Sequence, residues 1–309
     1  MKVIYGIGKV DRTLTNAVLA IGVFDGLHVG HQKLIKAAVR RAQKIGAPAI
    51  VMTFSPHPVR VLHPDSYLPF IVSLPHRFKL IEQLGISACI VVRFTKKFSQ
   101  LTSQQFIKKY LAGRLCPKEI FVGGDFCFGK KREGTALYFK EAGREYGFKV
   151  NAVSPVRMGR KKIGSSQIRR LIVQGKLDEV RRLLGHSVSV MGKVVKGDGR
   201  GRTLGFPTAN IYPEDEMIVP VGVYAVRVIV GHKEFSGMAN VGRRPSFKKK
   251  KNLINVETHI FDFKKLLYGK EIIVKFIKKI RNERVFDSPK KMSAQLARDE
   301  MKCRNILKA

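Results

Sequence analysis

The sequence predicts two domains of different class. Residues 1–185 read as an α/β domain built on a parallel sheet, and residues 186–309 as a small antiparallel β-barrel with a C-terminal helix. Three observations lead there. Apolar runs alternate with helical patterns through the first part, the βαβα order of a sheet covered on both faces. Short apolar runs broken by turn residues fill the second part, with helices absent until Lys290. A glycine-rich stretch interrupts the first strand–helix unit at the place where such sheets bind ligands.

Residues 17–24 are an apolar run and read as the first strand. Leu34, Ile35, Ala38, Val39, Ala42 and Ile45 then recur at three- and four-residue intervals, a helix over 31–45. Between them lies Gly22-Val23-Phe24-Asp25-Gly26-Leu27-His28-Val29-Gly30-His31-Gln32. Gly26 and Gly30 lack side chains and let an anion approach the backbone. The helix start offers unpaired N–H groups and the positive end of its dipole. His28 and His31, three apart across the junction, can face one phosphate. The stretch matches neither G-x-x-x-x-G-K-[ST] nor G-x-G-x-x-G. Metal ligation by the two histidines lacks a third ligand and gives the glycines no purpose, so no bound zinc is expected. A glycine turn with two solvated histidines is the plainer alternative.

Strands follow at 49–54, 88–94, 119–122 and 148–153, and helices at 74–84, 103–111 and 137–145. Thr102 with Gln105 makes a capping box for the second of these helices. The polar candidates fall at strand ends. After 49–54 comes Thr53-Phe54-Ser55-Pro56-His57-Pro58, in which Pro56 and Pro58 stiffen a loop that presents His57; a structural turn is an equal reading. After 119–122 comes Gly123-Gly124-Asp125-Phe126-Cys127-Phe128-Gly129-Lys130. Asp125, Phe126 and Phe128 could hold a ribose and a planar ring, or the two rings could be core. Ser165 and Ser166 open a helix whose Arg169 lies one turn inside, suited to phosphate or simply a capped helix. A short helix, 177–184, ends at Gly185, where the domain boundary is set.

In the second part, strands read at 188–195, 222–230, 235–239, 256–260 and 272–277, and a last helix begins at Ser288-Pro289. The stretch Gly197-Asp198-Gly199-Arg200-Gly201-Arg202-Thr203-Leu204-Gly205-Phe206-Pro207-Thr208-Ala209-Asn210 carries most of the chemistry. Gly197, Gly201 and Gly205 belong to a glycine flap whose N–H groups can wrap phosphates. Thr208 and Asn210 alternate, so both point one way in an extended segment and offer oxygen to Mg²⁺. A β-turn before an ordinary strand is the rival reading. Glu257 has apolar neighbours Val256 and Ile260; an acid among them is paired or functional, and could accept a proton from a hydroxyl. A salt bridge is the alternative.

The chain has 309 residues, 44% of them hydrophobic, enough for two cores. No apolar run is long enough to span a bilayer, and Asp11 and Arg12 interrupt any signal core, so a cytoplasmic protein is expected. Cys89, Cys116, Cys127 and Cys303 are irregularly spaced and suggest neither a zinc ribbon nor a disulfide framework. Fifty-nine basic against 23 acidic residues give a net charge of +36. That suits phosphorylated ligands, and equally a nucleic-acid binder. The one dense run, Lys248 to Lys251, has no aromatic to stack a base and reads as a solvated loop, which leaves nucleic-acid contact nonspecific. Oligomeric state is open.

His-x-Gly-His resembles the signature of nucleotidyltransferases with a dinucleotide-binding-like sheet. The longer string from Gly22 to Gln32 resembles the adenylyltransferase module of bacterial bifunctional riboflavin kinase/FAD synthetases. Thr53 to Pro58, Gly123 to Gly129 and Ile163 to Arg169 are similar to three further strings of that family. In the last, Gly164 stands for a serine and Ser166 for a threonine. Gly201 to Asn210, Asn240 to Pro245, Val256 to His259, Asp262-Phe263, Tyr268-Gly269 and the Arg281/Phe286 region resemble the riboflavin kinase module. The resemblance implies ATP-dependent phosphorylation of riboflavin to FMN and adenylylation of FMN to FAD, with Mg²⁺ accompanying ATP. Glu257, His28, His31 and Arg169 would be catalytic. Gly22, Phe24, Asp25, Gly26, Gly30, His57, Asp125, Ser165, Ser166, Gly197, Gly201, Gly205, Thr208 and Asn210 would bind nucleotide, the last two also the metal. Pro56, Pro58, Phe126, Phe128 and Arg281 would bind flavin. A riboflavin kinase with a weakened adenylyltransferase domain is the alternative that Gly164 and Ser166 raise.

Overall fold

The computed structural model of the chain describes residues 1–197, 199–213, 217–244 and 253–308. Two compact units are formed, one by residues 1–68 with 77–164 and the other by residues 69–76 with 165–309. Pro245 and the run Lys248 to Lys251 lie outside the described residues.

The first unit is a six-stranded parallel sheet. Its strands are β1 (Lys2–Tyr5), β2 (Val18–Ile21), β3 (Ala49–Ser55), β4 (Ala88–Arg93), β5 (Glu119–Gly123) and β6 (Lys149–Val153). Their order is β1-β4-β3-β2-β5-β6, every pair parallel. The helices are α1 (Val29–Lys44), α2 (Pro58–Leu62), α3 (Leu74–Glu82), α4 (Lys96–Ser99), α5 (Ser103–Phe106) and α6 (Ala136–Glu145). Strands β2 to β5 are covered on both faces and therefore read as unbroken apolar runs. On one face Leu19, Ile21, Ile50, Met52, Ile90 and Val122 pack with Phe106, Leu111 and Phe139. A two-strand hairpin, β7 (Arg157–Met158) with β8 (Lys161–Lys162), follows the sheet.

Two local readings are corrected. Residues 2–5 are an edge strand that the pattern did not announce; four residues with one buried side chain, Ile4, leave little periodicity to detect. The helix expected over 103–111 is α-helical only through Phe106. The Thr102–Gln105 capping box forms as expected, and Ile107–Leu115 then continues as a wide π-type helix, ending with Cys116 N–H on the Leu111 carbonyl at 2.7 Å.

The second unit begins with α7 (Ser165–Val173) and α8 (Leu177–Leu184). Gly185 closes α8 in the left-handed conformation, its N–H on the Arg181 carbonyl. Then come β9 (Ser189–Val195), α9 (Arg200–Thr203), β10 (Ala209–Ile211), β11 (Gly222–Val230), β12 (Lys233–Arg244), β13 (Leu253–Ile260), β14 (Glu271–Arg281) and α10 (Pro289–Lys308). The six strands close into a barrel in the order β10-β13-β12-β11-β14-β9, all antiparallel, with β9 pairing back to β10. Cys303 and Leu307 of α10 pack with Ala225, Met238 and Phe261. Residues 69–76 join this unit through a Phe70–Met217 bridge.

The expectation that helices are absent until Lys290 is overturned by α9. This single turn sits between Gly199 and Gly205, both at positive φ, and the two glycines let the chain enter and leave it sharply.

Candidate active sites

In the first unit the glycine-rich stretch folds onto itself. Phe24 is left-handed (φ 54°, ψ 28°) and fully buried. Its ring lies over Gly22, where a Cβ would come within 2.8 Å of it. Gly26 takes φ 75°. The space beside Gly30 is used by the His28 imidazole, 3.1 Å from where a Cβ would stand. His28 caps α1: its Nδ1 accepts the His31 N–H at 3.3 Å, so its own proton sits on Nε2. The two rings stack with centroids 3.6 Å apart. Nδ1 of His31 is shielded and has no partner among the described residues.

Burial drives the protonation of this pair. Loss of water brings His28 down to about 4. Burial, with His28 and Arg77 close by, holds His31 well below the ordinary histidine range. Both imidazoles are therefore neutral at pH 7, and a polyanion set against them would raise both. The stack can begin as a pair of neutral donors and gain charge as phosphate charge arrives.

The turn is held from behind. Arg77 of α3, 2% exposed, donates from Nη1 to the Val23 carbonyl at 3.0 Å and from Nη2 to Asp25 Oδ1 at 3.4 Å. Thr53 Oγ1 donates to the same carbonyl at 2.9 Å. Asp25 is thus a buried partner of Arg77. His57 caps α2, its Nδ1 accepting the Val59 N–H at 3.2 Å, and stands between Pro56, after a cis Ser55–Pro56 bond, and Pro58. Asp125 is exposed and paired with Lys162 of β8, which holds its carboxyl below the usual range. Phe126 and Phe128 stack at 5.5 Å, and Phe128 meets core Phe139 at 4.6 Å. Both are partly buried, so they pack as core and keep one side open.

In the second unit Ser165 and Ser166 open α7, and Arg169 donates from Nε to the Pro69 carbonyl at 2.8 Å. The barrel brings the other candidates together. Asn210 of β10 and Asn240 of β12 both lie opposite Glu257 of β13, so the three share one face. Asn255 Nδ2 donates to Glu257 Oε1 at 2.8 Å and reaches Asn210 Oδ1 at 3.5 Å. Val256, Thr258 and Ile260 are buried on the opposite face. The reason given for Glu257 from sequence is corrected accordingly: it stands among amides, not among its apolar neighbours in the chain. Gly197 lies against the Asn210 amide, and Gly201 against the Phe206 carbonyl, where a Cβ would collide in each case. Thr208 is half-buried where the flap joins β10, and Gly205 ends the flap turn at φ 83°. The His259 ring is 2.8 Å from the Pro207 carbonyl. Arg281, at the end of β14, is bound by Asp299 of α10 at 2.7 Å, with Phe286 beside its guanidinium.

Known proteins match both units. The FAD synthetase family profile matches residues 10–167, and the riboflavin kinase profile residues 184–307. The bifunctional riboflavin kinase/FMN adenylyltransferase of Escherichia coli (strain K12) is 38% identical over 99% of this chain and 98% of its own. The chain belongs to the bifunctional riboflavin kinase/FMN adenylyltransferase family. Members of this family from Listeria monocytogenes and Bacillus subtilis are 38% and 37% identical, over 95% and 92% of this chain and 93% and 90% of theirs. A solved structure described as a macrolide-efflux protein from Streptococcus pneumoniae covers 99% of both chains at 33% identity, with a TM-score of 0.84. Among the described residues, no helix is long and apolar enough to cross a membrane.

Sequence reasoning missed Arg77, Asn255 and Lys162, and named Asn240 only as the start of a string. Arg77 sits mid-helix far along the chain from the turn it holds, and carries no local signal. Asn255 could have been found, because it is two residues before Glu257 and so shares its face in a strand.

Proposed function

We infer that one chain performs two successive ATP-dependent reactions: phosphorylation of riboflavin to FMN, and adenylylation of FMN to FAD. The observation that carries this reading is the match of both enzyme modules, in order, along one chain.

We assign the kinase reaction to the barrel. The ribityl 5′-hydroxyl attacks the γ-phosphorus of ATP, its proton passes to Glu257, and ADP leaves. Catalysis is positioning and charge neutralisation. Thr208 and Asn210 offer neutral oxygens, an all-oxygen set that suits Mg²⁺ with phosphates completing its shell. The ion, arriving with ATP, would neutralise charge on the β- and γ-phosphates. Gly197, Gly201 and Gly205 let the flap backbone close on phosphate. Arg281, steadied by Asp299, keeps its assignment to flavin.

We assign adenylyl transfer to the parallel-sheet module and set the functional boundary at residue 185. The FMN phosphate attacks the α-phosphorus of ATP and pyrophosphate leaves, with no covalent enzyme intermediate. His28 and His31 donate to the phosphates. Gly22, Phe24, Asp25, Gly26 and Gly30 shape the turn that presents them. His57 and Asp125 are assigned to nucleotide. Ser165, Ser166 and Arg169 are assigned to phosphate binding by the motif they fill, and Pro56, Pro58, Phe126 and Phe128 to flavin. The reactions are placed in the cytoplasm, where ATP is supplied.

Product analysis tests the whole reading. Riboflavin with Mg-ATP is expected to give FMN first and then FAD with pyrophosphate. FMN as the end product would restrict the chain to its kinase half.

A further inference from the structure

We propose that Asn255 is a positioning residue of the kinase reaction, holding the Glu257 carboxylate and the Asn210 side chain as one unit. The proposal rests on the reading of Glu257 as the base.

Asn255 and Glu257 project from the same face of β13, and Asn210 stands opposite Glu257 on β10. One amide group reaches both: Nδ2 is 2.8 Å from Glu257 Oε1 and 3.5 Å from Asn210 Oδ1. Asn255 is buried, 6% exposed. Its Oδ1 is shielded and has no partner among the described residues. The orientation is nonetheless fixed. Turning the amide over would set Oδ1 against a carboxylate oxygen and lose the charge-assisted bond. A purely structural asparagine would satisfy both ends. This one leaves its acceptor unmet so that its donors meet Glu257 and Asn210.

The bond narrows the positions open to the carboxylate, so the oxygen that takes the proton is held in place between turnovers.

The test is the kcat and KM of riboflavin phosphorylation by the full chain, with FMN-to-FAD conversion by the same preparation as the measure of folding. Asn255→Ala is expected to lower kcat about tenfold with the KM for riboflavin nearly unchanged. Asn255→Gln, which keeps an amide donor, should recover part of the loss, and Asn255→Asp, which replaces the donor by a second carboxylate, should recover none. A kcat unchanged in the Ala variant, or equal losses in the Gln and Asp variants, overturns the proposal. Glu257→Gln separates the two ideas. If it still phosphorylates riboflavin, the base assignment fails; if it is inactive while Asn255→Ala keeps full kcat, only the role of Asn255 fails. Should Asn255→Ala lose FAD formation as well, Asn255→Ser carries the same measurement.

Discussion

Glu257→Gln removes a proton acceptor while keeping size and shape. FMN formation is expected to fall by roughly 10²–10⁴-fold, while conversion of supplied FMN to FAD is unchanged. His31→Ala should do the reverse, and chromatography of the two products checks both. Loss of both activities in either variant would break the assigned division of labour. His28 gives a pH prediction whose sign follows from its burial. Its ordinary value is 6.5 and its folded value about 4. Between those values the unfolded chain binds a proton that the folded chain refuses. Stability is therefore full above about pH 6.5 and declines as pH falls toward 4, by on the order of 3 kcal/mol for this residue. His28→Asn should lessen that decline in urea titrations at pH 7 and 4.5, with a decline of the same sign left by His31, which burial also holds low. At this scale the sequence singles out His28, His31, Glu257 and Asn210 as candidates, because each lies in a long string. It hid what they lean on. Arg77 and Asn255 act through contacts set by folding, and their own neighbours in the chain say nothing of them.

Helix α1 shows how an element can make a site. Its 16 residues were legible from the spacing of Leu34, Ile35, Ala38, Val39 and Ala42, all buried. Its first turn was read as open to an anion, and the open space turns out to be shared with the His28 ring. Gly30→Ala would bring a Cβ to 3.1 Å from that ring. The imidazole has to shift and the His28–His31 stack with it. FAD formation should fall about tenfold with riboflavin phosphorylation untouched. Thr102 offers a control for stability alone. Its capping box starts α5, and Thr102→Ala is expected to cost about 1 kcal/mol, measured by denaturation, with no change at saturating substrate in either reaction. Elements with strong periodicity were legible, and those with weak periodicity were not. β1 is too short to show an alternation, α9 is one turn between glycines, and no sequence pattern marks the passage from α5 into the π-type turns that follow it.

For the whole molecule the dominant fact is charge. A net +36 attracts the anionic substrates, FMN and ATP. Steering of this kind fades once the screening length drops to about 3 Å near 1 M salt. The kcat/KM for FMN adenylylation should therefore fall as salt rises, with kcat nearly constant. Uncharged riboflavin provides the comparison, since its own kcat/KM at saturating ATP should respond far less. Duplex DNA is expected to bind weakly at physiological salt, and tight, steeply salt-dependent binding would show a second use for the charge. The two-domain layout was legible because the two halves have different hydrophobic periods. The barrel was legible too, from short apolar runs broken by turns; that β9 and β10 are the strands whose pairing closes it was not, because no local pattern records that pairing.

That closure has a consequence for how copies of this chain can meet. A ring of strands has no first or last member, so an extended peptide finds no row of waiting backbone groups on which to lie. The sheet of the first unit, by contrast, stops at β1 on one side and β6 on the other. Among the described strands longer than two residues, those two margins are the ones from which ribbon-like growth between molecules could start. A proline placed in β1 at Val3 tests which margin matters, by whether the heat-induced aggregate still forms.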